Sequence, residues 1–192
     1  MTTATGKQQR KLYSYVVDHD EGGSPNPSGG LCTLAKCKDR SEGSTHGNIV
    51  ELAQAGDWIV GTGGVKQDCS AGHGKIVYAM RVTEKLRLPE FYRRYPNRRD
   101  SSPADVRKND RFALLSKDFY YFGRNAVAIP EKFLERDLEK RGPRYRCDFD
   151  ETFISDFENW LSKIYRRGVH GPPCKRTQGS ICARQMRKKP GV

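Results

Sequence analysis

Lys75-Ile76-Val77-Tyr78-Ala79-Met80-Arg81-Val82-Thr83-Glu84 is the stretch on which the reading of the fold turns. It is rich in β-branched and aromatic residues and reads as the clearest strand in the chain. Ile76, Tyr78, Met80 and Val82 are expected on one face, with Val77, Ala79, Arg81 and Thr83 on the other. Upstream, Gly63-Gly64 opens a polar loop after a second expected strand, Asp57 to Thr62. Asn48 to Ala55 precedes it as a short helix with Ile49, Leu52 and Ala53 on one side, stopped by Gly56. Lys11 to Asp18 reads as the first strand, followed by a loop from Asp18 to Gly30 crowded with Asp, Gly, Ser, Pro and Asn. Loops of that length are uncommon in compact domains unless they are used for something.

Downstream of Glu84, Pro89 starts a helix that ends before Pro96, and residues 97–110 form a polar loop. Arg111 to Gly123 reads as one or two strands, Ala126 to Ile129 as a short one, and Glu131 to Arg141 as a helix. Asp150 to Arg167 carries the strongest helical signal: Phe153, Ile154, Phe157, Trp160, Leu161, Ile164 and Tyr165 form one apolar stripe. Asp150 is its expected N-cap, and Arg166-Arg167-Gly168 suits its C-terminal end. The sum is an α+β chain, strand-rich to about residue 130 and helical after it. The expected division is a leader over 1–10, a single domain over 11–167 and a basic tail over 168–192.

The chain has 192 residues and a formal net charge of +12, from 35 Lys and Arg against 23 Asp and Glu. Mean hydropathy is −0.80. No unbroken apolar run is longer than Ile76–Met80, so no membrane association is expected, since a spanning helix needs roughly 20 apolar residues. The N-terminus lacks the hydrophobic stretch of a secretory signal, and the six cysteines are therefore expected as reduced thiols of a cytoplasmic protein. The positive charge is unevenly placed. Residues 85–111 hold 9 basic and 4 acidic side chains, and residues 159–192 hold 9 basic and none acidic. Basic residues interleaved with aromatics, as in Phe91-Tyr92-Arg93-Arg94-Tyr95-Pro96-Asn97-Arg98-Arg99, suit a polyanion. Arg93, Arg94, Arg98 and Arg99 are the expected phosphate contacts.

Familiar catalytic signatures are missing. Gly61-Thr62-Gly63-Gly64 lacks the third glycine of a dinucleotide fingerprint and the Gly-Lys-Ser/Thr ending of a P-loop, and reads as a turn. There is no Gly-x-Ser-x-Gly elbow and no zinc-deaminase signature. Cys32 and Cys37 lie at the outer limit of zinc spacing, with His19, His46, Cys69 and His73 as the other available ligands, but no second tight pair completes a set. No metal and no cofactor is expected. Asp18-His19-Asp20 is the densest acid/base cluster; beside Cys32-Thr33 it could set a base next to a thiol, with Asp18 and Cys32 the reactive groups. Asn26 sits between Pro25 and Pro27, which stiffen the backbone around an amide able to donate and accept at once. Lys36 and Lys38 follow closely enough to meet a phosphate.

Several stretches occur together in a recognisable order. They are Leu12-Tyr13-Ser14-Tyr15-Val16-Val17, Pro25-Asn26-Pro27, Cys32-Thr33-Leu34-Ala35-Lys36-Cys37-Lys38, Gly56-Asp57-Trp58-Ile59-Val60-Gly61-Thr62-Gly63, Val77 to Glu84 and Phe119-Tyr120-Tyr121-Phe122-Gly123. In this order they resemble the second type of nucleotide modification associated domain, a family of bacteria and phages, over about residues 11–130. The chain departs from that pattern in lacking a proline-led basic turn after Lys38, in a short Glu84–Phe112 stretch, and in the tail after Arg167. A more distant similarity is to PUA-like barrels of the EVE and ASCH kind, small open β-barrels that hold a modified or flipped base near their first loop. The resemblance implies a small mixed or antiparallel barrel with flanking helices and a C-terminal amphipathic helix. It also implies a nucleic-acid-binding module, DNA rather than RNA, that recognises a modified base or nucleotide within a DNA-modification or phage-defence system, with a partner protein of that system possible. Asn26, Thr33 and Lys38 would read or contact the nucleotide, and Trp58, Tyr78 and Tyr121 would form the walls. The alternative is an enzyme acting on a nucleotide or base through Asp18 and Cys32.

Overall fold

The computed structural model describes residues 9–35, 47–65, 69–98 and 111–174. In chain order the elements are β1 (Leu12–Val17), β2 (Cys32–Leu34), α1 (Ile49–Leu52), β3 (Trp58–Gly63), β4 (Lys75–Arg81), β5 (Glu84–Arg87), α2 (Leu88–Arg94), β6 (Phe112–Ser116), β7 (Asp118–Tyr121), a 3-10 turn (Gly123–Asn125), β8 (Val127–Ala128), α3 (Glu131–Leu134), β9 (Tyr145–Arg146), α4 (Glu151–Ile164) and β10 (Gly168–Val169). The larger sheet runs β10-β7-β4-β3-β1-β9, with β8 also paired to β4, and the smaller runs β2-β6-β5. The fold is α+β as expected, and no closed ring of strand pairings forms among the described residues.

The expected strand Lys75–Glu84 is two strands with a bend between them. Beyond Arg81 the chain leaves the large sheet, and β5 joins the small one; β6 and β7 make the return crossing through Lys117. The corner is fastened where Thr83 N–H donates to the Leu115 carbonyl at 2.8 Å and Ser116 Oγ donates to the Arg81 carbonyl at 2.5 Å. The expected face alternation also breaks once. Gly61 pairs with Tyr78 but Thr62 pairs with Ile76, so Val77 is an extra residue in β4. Such a bulge inverts the side-chain alternation beyond it. Ile76 consequently joins the core on one side of the large sheet, whereas Tyr78, Met80 and Val82 join the core on the other.

The layers follow from these faces. The stripe of α4 (Phe153, Ile154, Phe157, Leu161) covers one face of the large sheet, against Trp58, Val60, Ala79 and Tyr120. The opposite face, with Tyr15, Ile59, Tyr78 and Tyr121, packs against α1 and the inner face of the small sheet, where Cys32, Leu34 and Leu114 point. The outer face of the small sheet, with Ala113, Leu115 and Leu86, is closed by Leu88 and Phe91 of α2. Asp150 caps α4 as expected, its Oδ1 accepting from Phe153 N–H at 2.7 Å. The helix expected over Asn48–Ala55 is confined to Ile49–Leu52, with Asn48 as its cap, Oδ1 accepting from Glu51 N–H at 2.9 Å. Gly56-Asp57 is a structural motif. Asp57 accepts from the Lys11 and Gln54 amides, both at 2.9 Å, and stitches the α1–β3 turn to the start of β1.

Two expectations are corrected at the helical end. The helix expected over Glu131–Arg141 is confined to Glu131–Leu134. The tail expected from residue 168 begins inside the fold: Gly168 and Val169 pair with Tyr120 and Tyr121 as a parallel edge strand. No helix among the described residues is long and apolar enough to cross a membrane.

Candidate functional site

β1 and β3 are parallel and adjacent, so their carboxyl ends, Val17 and Gly63, lie side by side. The loops that follow them, Asp18 to Leu31 and Gly64 to Gly74, therefore meet at one end of the large sheet. In sheets with parallel neighbours, that end is where chain connections leave room for a ligand. Small residues allow the loops to close together. A Cβ on Gly63 would collide with the Gly72 carbonyl, and one on Gly64 with the Asp18 carboxylate. Gly61-Thr62-Gly63, expected as a turn, is instead the end of strand β3, and with Gly64 it allows close packing. Ser70 fastens the two loops, its hydroxyl donating to the Val17 carbonyl and accepting from Gly64 N–H, each at 2.6 Å.

Asp20 lies at the centre of this arrangement and is fully buried. Its amide donates to the Cys69 carbonyl at 2.8 Å. Its Oδ1 accepts from the Tyr121 hydroxyl at 2.5 Å, and its Oδ2 accepts from Cys174 N–H at 3.2 Å. Burial raises the Asp20 carboxyl above the ordinary value, against the opposing pull of the Tyr121 hydroxyl and of the Cys174 and Gly22 amides. Burial also pushes the Tyr121 hydroxyl up, followed by the charge of Asp20 beside it. Alongside, the Tyr15 and Tyr78 hydroxyls share a hydrogen bond of 2.6 Å with their rings edge-on. Burial lifts Tyr78 well above the usual phenol value, and the neighbouring Tyr15 adds to it. The Cys32 thiol belongs to the same buried cluster and acts electrostatically on both Tyr78 and Tyr121. The result is a buried carboxyl and three phenols held in two hydrogen-bonded pairs, Asp20 with Tyr121 and Tyr15 with Tyr78.

The other end of the Asp18–Leu31 loop is held independently. Asn26 and Thr33 exchange backbone hydrogen bonds of 2.9 and 3.0 Å, and Asn26 Oδ1 accepts from Ser28 N–H at 3.3 Å. Arg98 reaches across from beyond α2 and donates to the Asn26 carbonyl (2.7 Å), the Ser28 carbonyl (3.0 Å), the Leu31 carbonyl (3.2 Å) and Thr33 Oγ1 (3.0 Å). Between these anchors the tip Ser28-Gly29-Gly30 is exposed. Gly29 and Gly30 both have positive φ with open space where a Cβ would be, so bare backbone faces outward there.

The expected site residues divide on this frame. Asn26, Thr33, Tyr78 and Tyr121 are all drawn into the loop or the cluster beneath it. Trp58 is not; it lies on the opposite face of the large sheet, between Tyr120 and Phe157 in the α4 core. Arg98 is a tether of the loop. Arg94 pairs with Glu84 (2.6 Å) and Glu90 (2.8 Å), whereas Arg93 is exposed with no ion pair among the described residues. Lys38 and Arg99 lie outside the described residues. Asp18 packs against Gly64, and Asp20, two residues on, is the acid that meets the tyrosines. Cys32 is buried at the start of β2. Among the described residues no three His, Cys, Asp or Glu side chains gather as a metal site. Sequence reasoning passed over Tyr15, Ser70 and Cys174 and weighed Cys69 only as a metal ligand; the acid cluster Asp18-His19-Asp20 carried the visible signal.

These features define an α+β domain with a buried acid–phenol cluster at the carboxyl ends of two parallel strands. The chain belongs to the family described as nucleotide modification associated domain 2, whose model matches over residues 9–109 and 98–180. The match runs well past residue 130 and takes in β10 and the Pro172–Cys174 segment, which the sequence alone placed outside the domain. No curated protein and no solved structure matches the chain. Family membership associates it with nucleotide modification.

Proposed function

We propose that the protein is a nucleic-acid-binding module that recognises a modified base or nucleotide, in DNA in preference to RNA, within a modification or phage-defence system. The observation that supports this reading is the Asp18–Leu31 loop, pinned at Asp20 from below and at Asn26–Thr33 by Arg98, with an exposed polar tip between. Reading the edge of a base requires it to leave the stack and meet polar groups already fixed in place. Fixing them beforehand avoids the ordering cost that a free loop would incur on binding. The bare backbone of Gly29 and Gly30 would meet the base edge, with buried Asn26 and Thr33 holding that tip in position from behind. Tyr78 and Tyr121 support the loop from below. The distant likeness of the sequence to PUA-like folds, which hold a base near their first loop, agrees with this placement, although the sheets do not close into a barrel among the described residues.

The test is anisotropy titration of labelled oligonucleotides, single- and double-stranded, unmodified and carrying modified bases. A preference for one modified base that is lost in Asn26→Ala is the expected result. Equal affinity for every oligonucleotide, unchanged by that substitution, would overturn the reading. A reaction on the nucleotide is the second reading, favoured by the buried carboxyl of Asp20, which bonds Tyr121, the phenol that the Cys32 thiol also acts on. It requires product formation from a nucleotide that disappears in Asp20→Asn and Cys32→Ser while binding survives.

A further inference from the structure

The outer corner of the small sheet carries a feature that the loop site does not use. Lys85 Nζ lies 4.8 Å from the centre of the Phe112 ring, and the guanidinium carbons of Arg87 and Arg111 lie 5.9 and 6.0 Å from it. β5 and β6 create this convergence, because Arg87 is paired with Phe112 in register. Cations are attracted to an aromatic face, so the ring holds three like charges together that would otherwise disperse. Among the described residues two carboxylates answer them, Glu51 by contact and Asp57 through its charge on Lys85. Glu51 Oε1 accepts from Arg111 Nε at 2.9 Å and Nη2 at 2.7 Å, and the guanidinium is exposed. Lys85 also donates to the Glu51 and Ala53 carbonyls, which sets its position without neutralising its charge. Arg87 is exposed, with no hydrogen bond or ion pair among the described residues. Among the described residues three cations against two carboxylates leave a local excess of positive charge, on a chain already at +12.

We infer that Lys85, Arg87 and Arg111, gathered on Phe112, form a phosphodiester-binding patch for the backbone of the nucleic acid whose base the loop reads. The inference rests on the nucleic-acid reading above and adds a backbone site to it. Phe112 lies on the inner face of β6 with Leu114, which pairs with Leu34, two residues from Cys32 in the loop-site cluster. From Ser116, opposite Cys32, to Phe112 is four residues, or about 13 Å along a strand. Backbone contacts at that remove fix register and orientation, and base contacts specify. The patch therefore supplies affinity and salt dependence, and the loop supplies preference.

The experiment compares the full chain with an Arg87→Gln/Arg111→Gln double variant, using Lys132→Gln/Lys163→Gln as the control on α3 and α4. Each is titrated with unmodified and modified oligonucleotides, as DNA and as RNA, between about 50 and 200 mM salt. The patch variant is expected to lose affinity roughly tenfold at the low-salt end, with the slope of log affinity against log salt falling by about 2 on duplex DNA. The loss should be equal for modified and unmodified strands, and the control should match the parent chain. An unchanged slope in the patch variant, a control that loses as much, or no binding of any nucleic acid at low salt would each overturn the patch. Thermal melts of both variants identify misfolding, and in that case the Arg87→Gln single variant, whose side chain makes no tertiary bond among the described residues, decides with half the slope change. Failure of the loop reading looks different: affinity falls in the patch variant, yet no modified base is preferred by any protein.

Discussion

Asp20 shows how much a single buried carboxylate can organise. It joins the loop after β1 to the Cys69 carbonyl, the Tyr121 hydroxyl and the Cys174 amide, with no lysine or arginine paired to it among the described residues. Because burial raises its folded value above the unfolded one, the folded state holds the proton more tightly. Between those two values the folded chain binds more protons than the unfolded, so the contribution of Asp20 to stability falls as pH rises through that window. Thermal melts of the parent and Asp20→Asn should therefore diverge with pH, the parent gaining on the variant on acidification from pH 7 towards 4. A difference that stays constant with pH would contradict this account. Tyr121→Phe removes the donor to the same carboxylate and is expected to cost about 1.5–3 kcal/mol in denaturant unfolding at neutral pH. Asp20 was visible in the sequence as part of an acid cluster, yet Asp18 and Asp20 have the same parity along the chain. Choosing between them requires knowing where Tyr121, a hundred residues away, comes to lie.

At the level of elements, strands and caps were legible where local signals dominate. The α4 stripe, its Asp150 cap and the proline-led start of α2 all stand where periodicity and capping residues put them, whereas Asn48, expected inside α1, is its cap. Asn48→Ala should lower stability by about 1 kcal/mol, measured by urea titration. The bulge at Val77 was not legible, because an extra residue in one strand is defined only against its partner. Gly61, beside that bulge, has no room for a side chain: a Cβ would collide with the Tyr78 ring and with Val17. Gly61→Ala is therefore expected to destabilise by about 1–3 kcal/mol, with no effect on the helical core around α4 as read by the near-ultraviolet signal of Trp58 and Trp160. The bulge also bears on the site, since it leaves Ile76 on the α4 side while keeping Tyr78 under the loop.

Across the molecule, the C-terminal segment is part of the domain. His170 N–H donates to the Tyr121 carbonyl and Arg124 N–H to the Pro172 carbonyl, both at 2.8 Å, and the His170 ring stacks on Phe122. Pro173 packs on Gly22, so this strap closes the chain over the Asp20 loop from the far edge of the sheet. A chain ended at Arg167 should melt about 5 °C or more below one ended at Cys174, taking roughly 2–4 °C per kcal/mol for a domain of this size. Equal melting temperatures would show that the strap contributes nothing to stability.

By itself the sequence determined what depends on neighbours along the chain. These are the strands around Tyr15, Ile59 and Tyr78, the amphipathic α4, the long Asp18–Gly30 loop, the α+β class and the concentration of positive charge. The tertiary structure alone decided which of these residues meet. Trp58 went to the α4 core because strand alternation, read from its partners, turns it away from Tyr78. Arg98 became a tether because the turn after α2 brings it over Asn26, and Asp20 became the central acid because Tyr121 and Cys174 arrive beside it. The reason is physical: period and propensity act over a few residues, whereas a buried hydrogen bond depends on where the paired strands bring residues far apart in sequence.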